Sequence, residues 1–229
     1  NAALGVVTES GSPEVPVGLR VLLTKNELLA NVPPQHSHWE LLTQAVHEVY
    51  QTGKSRPIEL SRPDGHFIKF FVEMILPPIH LIALGSNYDL LPLLEIGRTL
   101  GWRLTVVGSL RKIGKPVFEL ATVVPDLSQL HLPADSQTAA VLMSHDYKTD
   151  YNNLLELLPH NLPFIGLLGP RKRTERILDE LETAGIQLSP TQLESLHGPA
   201  GLDIGATTPE AIALSIAAEI QSVFGQRSG

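Results

Sequence analysis

The sequence predicts an α/β protein: a Rossmann-like, doubly wound parallel sheet over residues 77–229, preceded by a small N-terminal α+β domain over residues 1–76. Three observations predict it. Ile79–Leu84 is a short apolar run stopped by Gly85, and Gly85-Ser86-Asn87 is turn chemistry, because glycine tolerates positive φ and Asn and Ser close local side-chain turns. Leu90, Leu91, Leu93, Leu94, Ile96 and Leu100 then recur at spacings that coat one side of a helix. After Gly101, a residue type that ends helices in the left-handed conformation, Leu104–Val107 reads as a second buried strand. Strand, glycine turn, helix and strand within about thirty residues make a right-handed βαβ crossover.

The N-terminal domain reads as strand Ala3–Thr8, turn Glu9–Pro13, strand Val17–Thr24 and a helix over His38–Gln51. In that helix Leu41, Leu42, Ala45, Val46, Val49 and Tyr50 keep a helical period, and Gly53 stops it. Pro57–Ser61 and Phe67–Ile75 read as two strands joined by the turn Arg62-Pro63-Asp64-Gly65. Pro77-Pro78 is a stiff joint before the main sheet. His36-Ser37-His38 has chelating spacing, but no acidic or cysteine cluster stands beside it, so it reads as a solvated loop.

Beyond Val107, Lys112–Lys115 reads as a loop, Ala121–Val124 as a third strand and Asp126–Leu130 as one helical turn. Thr138–Met143 is apolar throughout, as strands buried on both faces are, and makes a fourth strand. A helix over Tyr151–Leu158 and a fifth strand over Phe164–Leu168 follow. Pro170 suits the first position of a helix running to Ala184 and stopped by Gly185. The tail is a Gly-rich loop, His197–Ala206, leading into a helix opened by Thr207-Thr208-Pro209-Glu210. Thr208 before Pro209 gives a cap, and Thr207 with Glu210 a capping box. Ile212, Leu214, Ile216, Ala217, Ile220 and Val223 make that helix apolar almost all round, which predicts burial, partly against another subunit.

The totals narrow the function. The chain has 229 residues, enough for one large or two small domains with a real core. A net charge of −7 gives no global attraction to nucleic acid or to an anionic membrane. The absence of cysteine excludes disulfides, thiolate metal sites and thiol catalysis. No signal peptide or bilayer-length apolar run is present, so a cytoplasmic location is expected. The opening Asn1-Ala2 reads as the scar of a trimmed start, with native N-terminal residues missing.

A doubly wound sheet of this kind has strand order 3-2-1-4-5, and ligands favour the crevice beyond its carboxyl ends where strands one and four part. This brings Gly85-Ser86-Asn87 beside Ser144-His145-Asp146, with Gly169-Pro170-Arg171 opening on the same edge. The phosphate fingerprint G-x-G-x-x-G/A keeps only Gly85: Asn87 and Leu90 replace the second and third glycines. Asp89 suits the helix dipole but repels an anion. The acidic residue that would bind a ribose is replaced by Gly108-Ser109, although Arg111 could favour a 2′-phosphate. NAD(P) is therefore the weaker expectation.

Arg171, Lys172, Arg173 and Arg176 open the helix after strand five. Cations there oppose the helix dipole, which favours an anion in front of them. Pairing with Glu175 and Glu180 along the helix accounts for Arg171 and Arg176 and leaves Lys172 and Arg173. His145-Asp146 reads as a ligand contact rather than a catalytic pair, with the alternative that Asp146 caps the next turn. Asp203, between Gly201 and Gly205, is a loop carboxylate that binds local amides or closes the cleft. No Ser-His-Asp, Walker or zinc motif is present.

Five stretches together resemble the XdhC/CoxI family of xanthine dehydrogenase accessory proteins: Pro77–Gly85, Gly101–Val107, Val141–Asp146 with Asp150, Ile165–Gly169 with Arg171–Arg173, and Gly201–Ala206 through Glu219. The resemblance implies a small N-terminal domain with a Rossmann domain, commonly dimeric. It implies a non-enzymatic role: binding the molybdenum cofactor, protecting it during sulfuration with a cysteine desulfurase, and handing it to an apo molybdenum hydroxylase. The candidate cofactor-binding residues, taken from the loops that meet at that sheet edge, the basic helix start and the tail loop, are Gly85, Ser86, Asn87, Ser144, His145, Asp146, Gly169, Arg171, Lys172, Arg173, Gly201 and Asp203. The family's Gly-Gly-Cys motif has no counterpart, so no cysteine contacts molybdenum here.

Overall fold

The computed structural model describes residues 1–32, 38–61, 67–130, 132 and 137–228. His36, Ser37 and the turn Arg62-Pro63-Asp64-Gly65 lie outside the described residues. The chain divides into two compact units at Pro77/Pro78, where the sequence places the boundary after residue 76.

The first unit is an antiparallel sheet with one helix. Its strands are β1 (Ala2–Ser10), β2 (Arg20–Thr24), β3 (Leu28–Ala30), β4 (Arg56–Ser61) and β5 (Phe67–Ile75), in the order β3-β2-β1-β5-β4. Helix α1 (Trp39–Thr52) lies across one face and contacts β1, β2 and β5. Alternation sets which side chains point inward: Ile68, Phe70 and Val72 of β5 are buried against Leu42, Val46 and Val49 of α1, and the intervening Phe67, Lys69, Phe71 and Glu73 are exposed. Each such fully buried aliphatic or aromatic side chain contributes about 1.5–3 kcal/mol.

The second unit is a six-stranded, wholly parallel sheet. Its strands are β6 (His80–Leu84), β7 (Arg103–Val107), β8 (Thr122–Val124), β9 (Thr138–Leu142), β10 (Phe164–Leu167) and β11 (Leu196–His197), in the order β11-β10-β9-β6-β7-β8. Counted from β6 this is the expected 3-2-1-4-5 order with a sixth strand beside the fifth. That sixth strand is too short to carry any hydrophobic period of its own, and only its neighbour β10 defines it.

Helices α2 (Leu90–Thr99), α3 (Lys115–Leu120), α4 (Tyr147–Leu157), α5 (Arg171–Thr183), α6 (Pro190–Ser195) and α7 (Pro209–Ser228) cover the sheet. Strand residues divide between its two faces with period two. Leu81, Ala83, Val141 and Met143 join Leu93 and Leu94 of α2 and Ile216 and Ile220 of α7 in one core. Ile82, Leu84, Ala140 and Leu142 join Leu154 of α4 and Ile177 and Leu181 of α5 in the other. Burial on both faces is why β6 and β9 read as apolar runs after their first residues, His80 and Thr138.

Several boundaries differ from the sequence reading. Lys115 falls in the expected loop and residues 116–120 have no assignment from sequence, yet residues 115–120 form α3, and residues 190–195 form α6, fixed by a Ser189–Gln192 capping box. Helix α4 begins at Tyr147 rather than Tyr151, because Asp146 caps it: its carboxylate accepts the Thr149 N–H at 2.8 Å. Pro170 is the cap of α5 and not its first residue, since its ψ of 153° is extended. Gly101 does take the left-handed φ, at 74°, that its place after α2 requires. For α7, Thr208 Oγ1 accepts the Ala211 N–H at 3.3 Å, so Thr208 is the cap.

Candidate functional site

The carboxyl ends of β6, β9 and β10 deliver three loops to one rim of the parallel sheet. The first two are joined directly: the Asn87 side-chain amide donates to the Ser144 carbonyl at 3.1 Å. Packing here leaves no room for side chains. A Cβ on Gly85 would meet the Met143 carbonyl oxygen at 2.5 Å, and one on Gly108 would overlap the Gly85 carbonyl oxygen. Ser86 Oγ accepts the Ser109 N–H at 2.9 Å and ties the end of β7 to the same turn. Gly85 and Gly108 thus serve close backbone contact inside the protein.

His145 and Asp146 are neighbours in sequence but face different depressions. Asp146 lines a polar cleft of about 350 Å³ with Gly85, Ser86, Asn87 and Ser144. Its carboxyl is held below the usual range, first by the Thr149 hydroxyl and then by the Thr149 N–H, so it works as the cap of α4. His145 takes a left-handed φ of 61°, a conformation that costs a non-glycine residue about 1–3 kcal/mol. That turn swings the ring to the other side, where Nε2 meets Asp89 Oδ2 at 2.5 Å.

His145 and Asp89 line a second cavity, also of about 350 Å³, with an apolar floor of Leu93, Met143, Leu168, Ile212, Ala213 and Ile216. Gly169 and Arg173 close its far side. Asp89 is the polar outlier. Its side chain is only 13% exposed, and its Oδ1 is buried with no hydrogen-bond partner. Leaving a buried acceptor unsatisfied costs about 1–3 kcal/mol. The sequence places Asp89 only at the helix dipole, and its place in this wall is decided by the tertiary structure. The signal available was its position at the start of α2, beside the switch point.

Arg173 is not free for an anion in the way the sequence suggested. Its guanidinium donates to Asp150 Oδ2 at 2.6 Å, and the Asp150 side chain is 1% exposed. Asp150 Oδ1 also accepts from the Ser144 hydroxyl at 2.5 Å and the Ser144 N–H at 3.2 Å. One buried carboxylate therefore ties the loop after β9 to the start of α5. Arg176 stacks over the Tyr147 ring at 4.2 Å, and the Tyr147 hydroxyl donates to Glu180 at 2.6 Å.

Arg171, Gly201 and Asp203 line a third depression of about 460 Å³. It shares Leu168, Gly169 and Ile212 with the apolar cavity, so the two adjoin. Its loop is pinned by Glu219, whose carboxylate accepts the Gly201 N–H at 2.6 Å and bonds His197 Nδ1 at 3.0 Å, while His197 stacks on Phe164. Lys172 lines none of the three depressions. Apart from Lys172, the sequence-derived residues divide among three hollows, of which the apolar cavity and the third depression adjoin.

The donor set discriminates between ligands. A dinucleotide needs open glycine backbone at the pyrophosphate and an acid at the ribose. Here Asn87 is bonded to Ser144, Leu90 is 1% exposed in the core, and Gly108 stands at the acid's place. A pterin-type molybdenum cofactor asks for a flat apolar slot, an acceptor for ring N–H groups and a cation for its phosphate. The apolar floor, and Arg171 at the start of α5 on the adjoining depression, fit the apolar and cationic parts of that demand. Among the described residues no group of three or more His, Asp or Glu could hold a bare metal ion, and no helix is long and apolar enough to cross a membrane.

The fold and this rim define a Rossmann-type protein with a ligand-sized, largely apolar cavity at the switch point. Residues 81–220 match the family model described as the XdhC Rossmann domain, and the chain belongs to the XdhC family. It is 30% identical over 160 residues to a probable xanthine dehydrogenase subunit of Bacillus subtilis, covering 66% of this chain and 44% of that protein. It is 34% identical over 80 residues to an "Uncharacterized protein YqeB" of Escherichia coli, covering 35% of this chain and 14% of that one. The chain thus spans less than half the length of these curated relatives. A crystal structure described as a xanthine dehydrogenase from Bacillus halodurans superposes with a TM-score of 0.72 at 22% identity, over 99% of this chain and 63% of that one, a likeness of fold.

Proposed function

We propose that this chain is an accessory factor for a molybdenum hydroxylase such as xanthine dehydrogenase. It binds the molybdenum cofactor, assists its sulfuration and inserts it into the apo-enzyme. Membership of the XdhC family and the relative that bears a xanthine dehydrogenase name support the reading. The observation that carries it is the apolar cavity at the rim, walled by Asp89, His145 and Arg173. When bound, the cofactor supplies the metal and sulfur chemistry that the partner hydroxylase uses. This chain's own residues hold and shield it: Leu93, Met143, Leu168 and Ile216 exclude water, and Arg171 on the adjoining depression offers cationic charge to a phosphate. The partners on this reading are the apo-hydroxylase, a cysteine desulfurase and a second copy of the chain, in the cytoplasm.

The test is retention of the cofactor. Purified chain mixed with molybdenum cofactor at low salt should carry it through gel filtration, and Arg171→Ala with Lys172→Ala should weaken retention and its salt sensitivity together. Passage of the cofactor at the free-ligand volume overturns the proposal. So does calorimetric heat with NAD(H) or NADP(H) and none with the cofactor, which would restore the oxidoreductase reading.

A further inference from the structure

We infer that the hollow between the C-terminal half of α5 and the short helix α6 is a docking groove for a basic, amphipathic segment of a partner protein. The inference stands apart from the cofactor reading, because this hollow shares no lining residue with the three described above.

The end of α5 builds the groove. Gly185 takes a φ of 76° and donates its N–H to the Glu182 carbonyl, and the Ile186 N–H returns to the Leu181 carbonyl at 2.9 Å. A left-handed glycine closes a helix in this way and folds the next apolar residue back against it. Leu178, Leu181, Ile186, Leu188 and, from α6, Leu193 then line a space of about 460 Å³. Leu193 is 51% exposed, although the Ser189–Gln192 capping box holds its helix in place. Glu182 and Gln187 are the only polar side chains in the lining. A small-molecule site sets several convergent polar groups in an apolar pocket, and this lining suits apolar side chains instead.

Charge beside the groove says what carries those side chains. Asp179 and Glu182 stand three residues apart on α5, so they share a side of the helix and repel. Glu182 also lies in the last turn of α5, where the helix dipole disfavours a carboxylate. Glu194 adds a third exposed acid, next to Leu193. Among the described residues, none of these three carboxylates has a hydrogen bond or an ion pair. No Lys or Arg occurs between Ile177 and Leu196. Arg171, Lys172 and Arg173 stand at the other end of α5, and Arg176 lies over the Tyr147 ring.

Cations brought to these acids relieve their repulsion and complement the negative end of the helix. A helix with leucine-like anchors at i, i+3, i+4 and i+7, and with lysine or arginine beside them, meets both the groove and its charge. Lipid headgroup and nucleic-acid phosphates carry the wrong sign.

The test uses the full chain and a fluorescent designed helix of about four turns with that leucine spacing and flanking lysines. One twin has glutamate for every lysine, and another has serine for every leucine. The chain should bind the lysine peptide at least about tenfold more tightly than either twin, with an affinity that falls as salt rises. Leu193→Gln, at a half-exposed site, should keep the melting temperature and lose about tenfold in binding. Glu182→Lys with Glu194→Lys should turn the preference toward the glutamate twin. Absence of saturable binding overturns the inference, as does wild-type affinity for the glutamate twin equal to that for the lysine peptide. Binding that Leu193→Gln leaves unchanged also overturns it, by placing the peptide elsewhere on the acidic surface. A wild-type dimer in sedimentation that Leu193→Gln splits would overturn it in favour of a second copy of the chain.

Discussion

The Arg173 guanidinium meets the Asp150 carboxylate at 2.6 Å beneath the carboxyl rim of the parallel sheet, with Asp150 almost wholly buried. Ser144 completes the arrangement from the loop after β9. Removing one partner of a buried pair leaves the other charge uncompensated, which costs more than the pair itself contributes. Arg173→Leu should therefore lower stability by about 3 kcal/mol. Urea unfolding would measure it, and a loss within the range of exposed substitutions, about 0.5 kcal/mol, would show that Asp150 relaxes into solvent.

Gly108→Ala should destabilise the rim by about 1–3 kcal/mol. The added Cβ would overlap the Gly85 carbonyl oxygen and reach Ser86 Oγ at 2.5 Å, and backbone cannot rotate away as a flexible side chain can. Gly114→Ala is the control, because its Cβ would sit 3.7 Å from Pro116 Cδ, in ordinary contact. Matching urea midpoints for the two variants would refute the close approach.

Glu219 predicts an acid dependence. Burial pushes its carboxyl up, but the His197 hydrogen bond, the Gly201 N–H and the His197 charge together outweigh burial and hold it below its ordinary 4.5. A depressed folded pKa gives stability that is present above the unfolded value and lost as pH falls through the folded one. Melting temperature should fall as pH drops below about 4.5, and Glu219→Gln should flatten that part of the fall. An identical acid limb in the variant would show that Glu219 does not carry it.

Tyr147 should ionise late for a tyrosine. Burial first, and then its hydrogen bond and proximity to Glu180, push the phenol up to about 12, against a smaller opposing effect of Arg176. A raised folded pKa gives stability that is intact below 10.0 and lost as pH rises through about 12. Ultraviolet titration of tyrosinate should show one late-ionising group, absent in Tyr147→Phe. A late group that persists in the variant would assign the shift elsewhere.

Much of the second unit is legible in the sequence because each parallel strand is buried on both faces. Leu81–Leu84 and Ala139–Met143 have to be apolar, the buried His80 being met by Thr105 and Arg103, and the helices between them have to carry leucines at helical spacing. The missed elements lack such a constraint. Strand β11 is a two-residue addition at the sheet edge, and α3 and α6 each have six residues, too few for a period to stand out. At the candidate site, topology predicts that the loops share one rim. It does not predict which way His145 and Asp146 turn, and that choice divides their hollows.

Taken alone, the sequence determined the architecture, the order of the first five strands of the parallel sheet and the glycines at the switch-point turn, because hydrophobic period and turn chemistry act over a few neighbouring residues. Only tertiary structure decided that Arg173 is matched by Asp150 and that Asp89 is left with an unused oxygen. Both outcomes depend on side chains brought together from distant segments, where charge and hydrogen bonding are settled by geometry that no local spacing encodes.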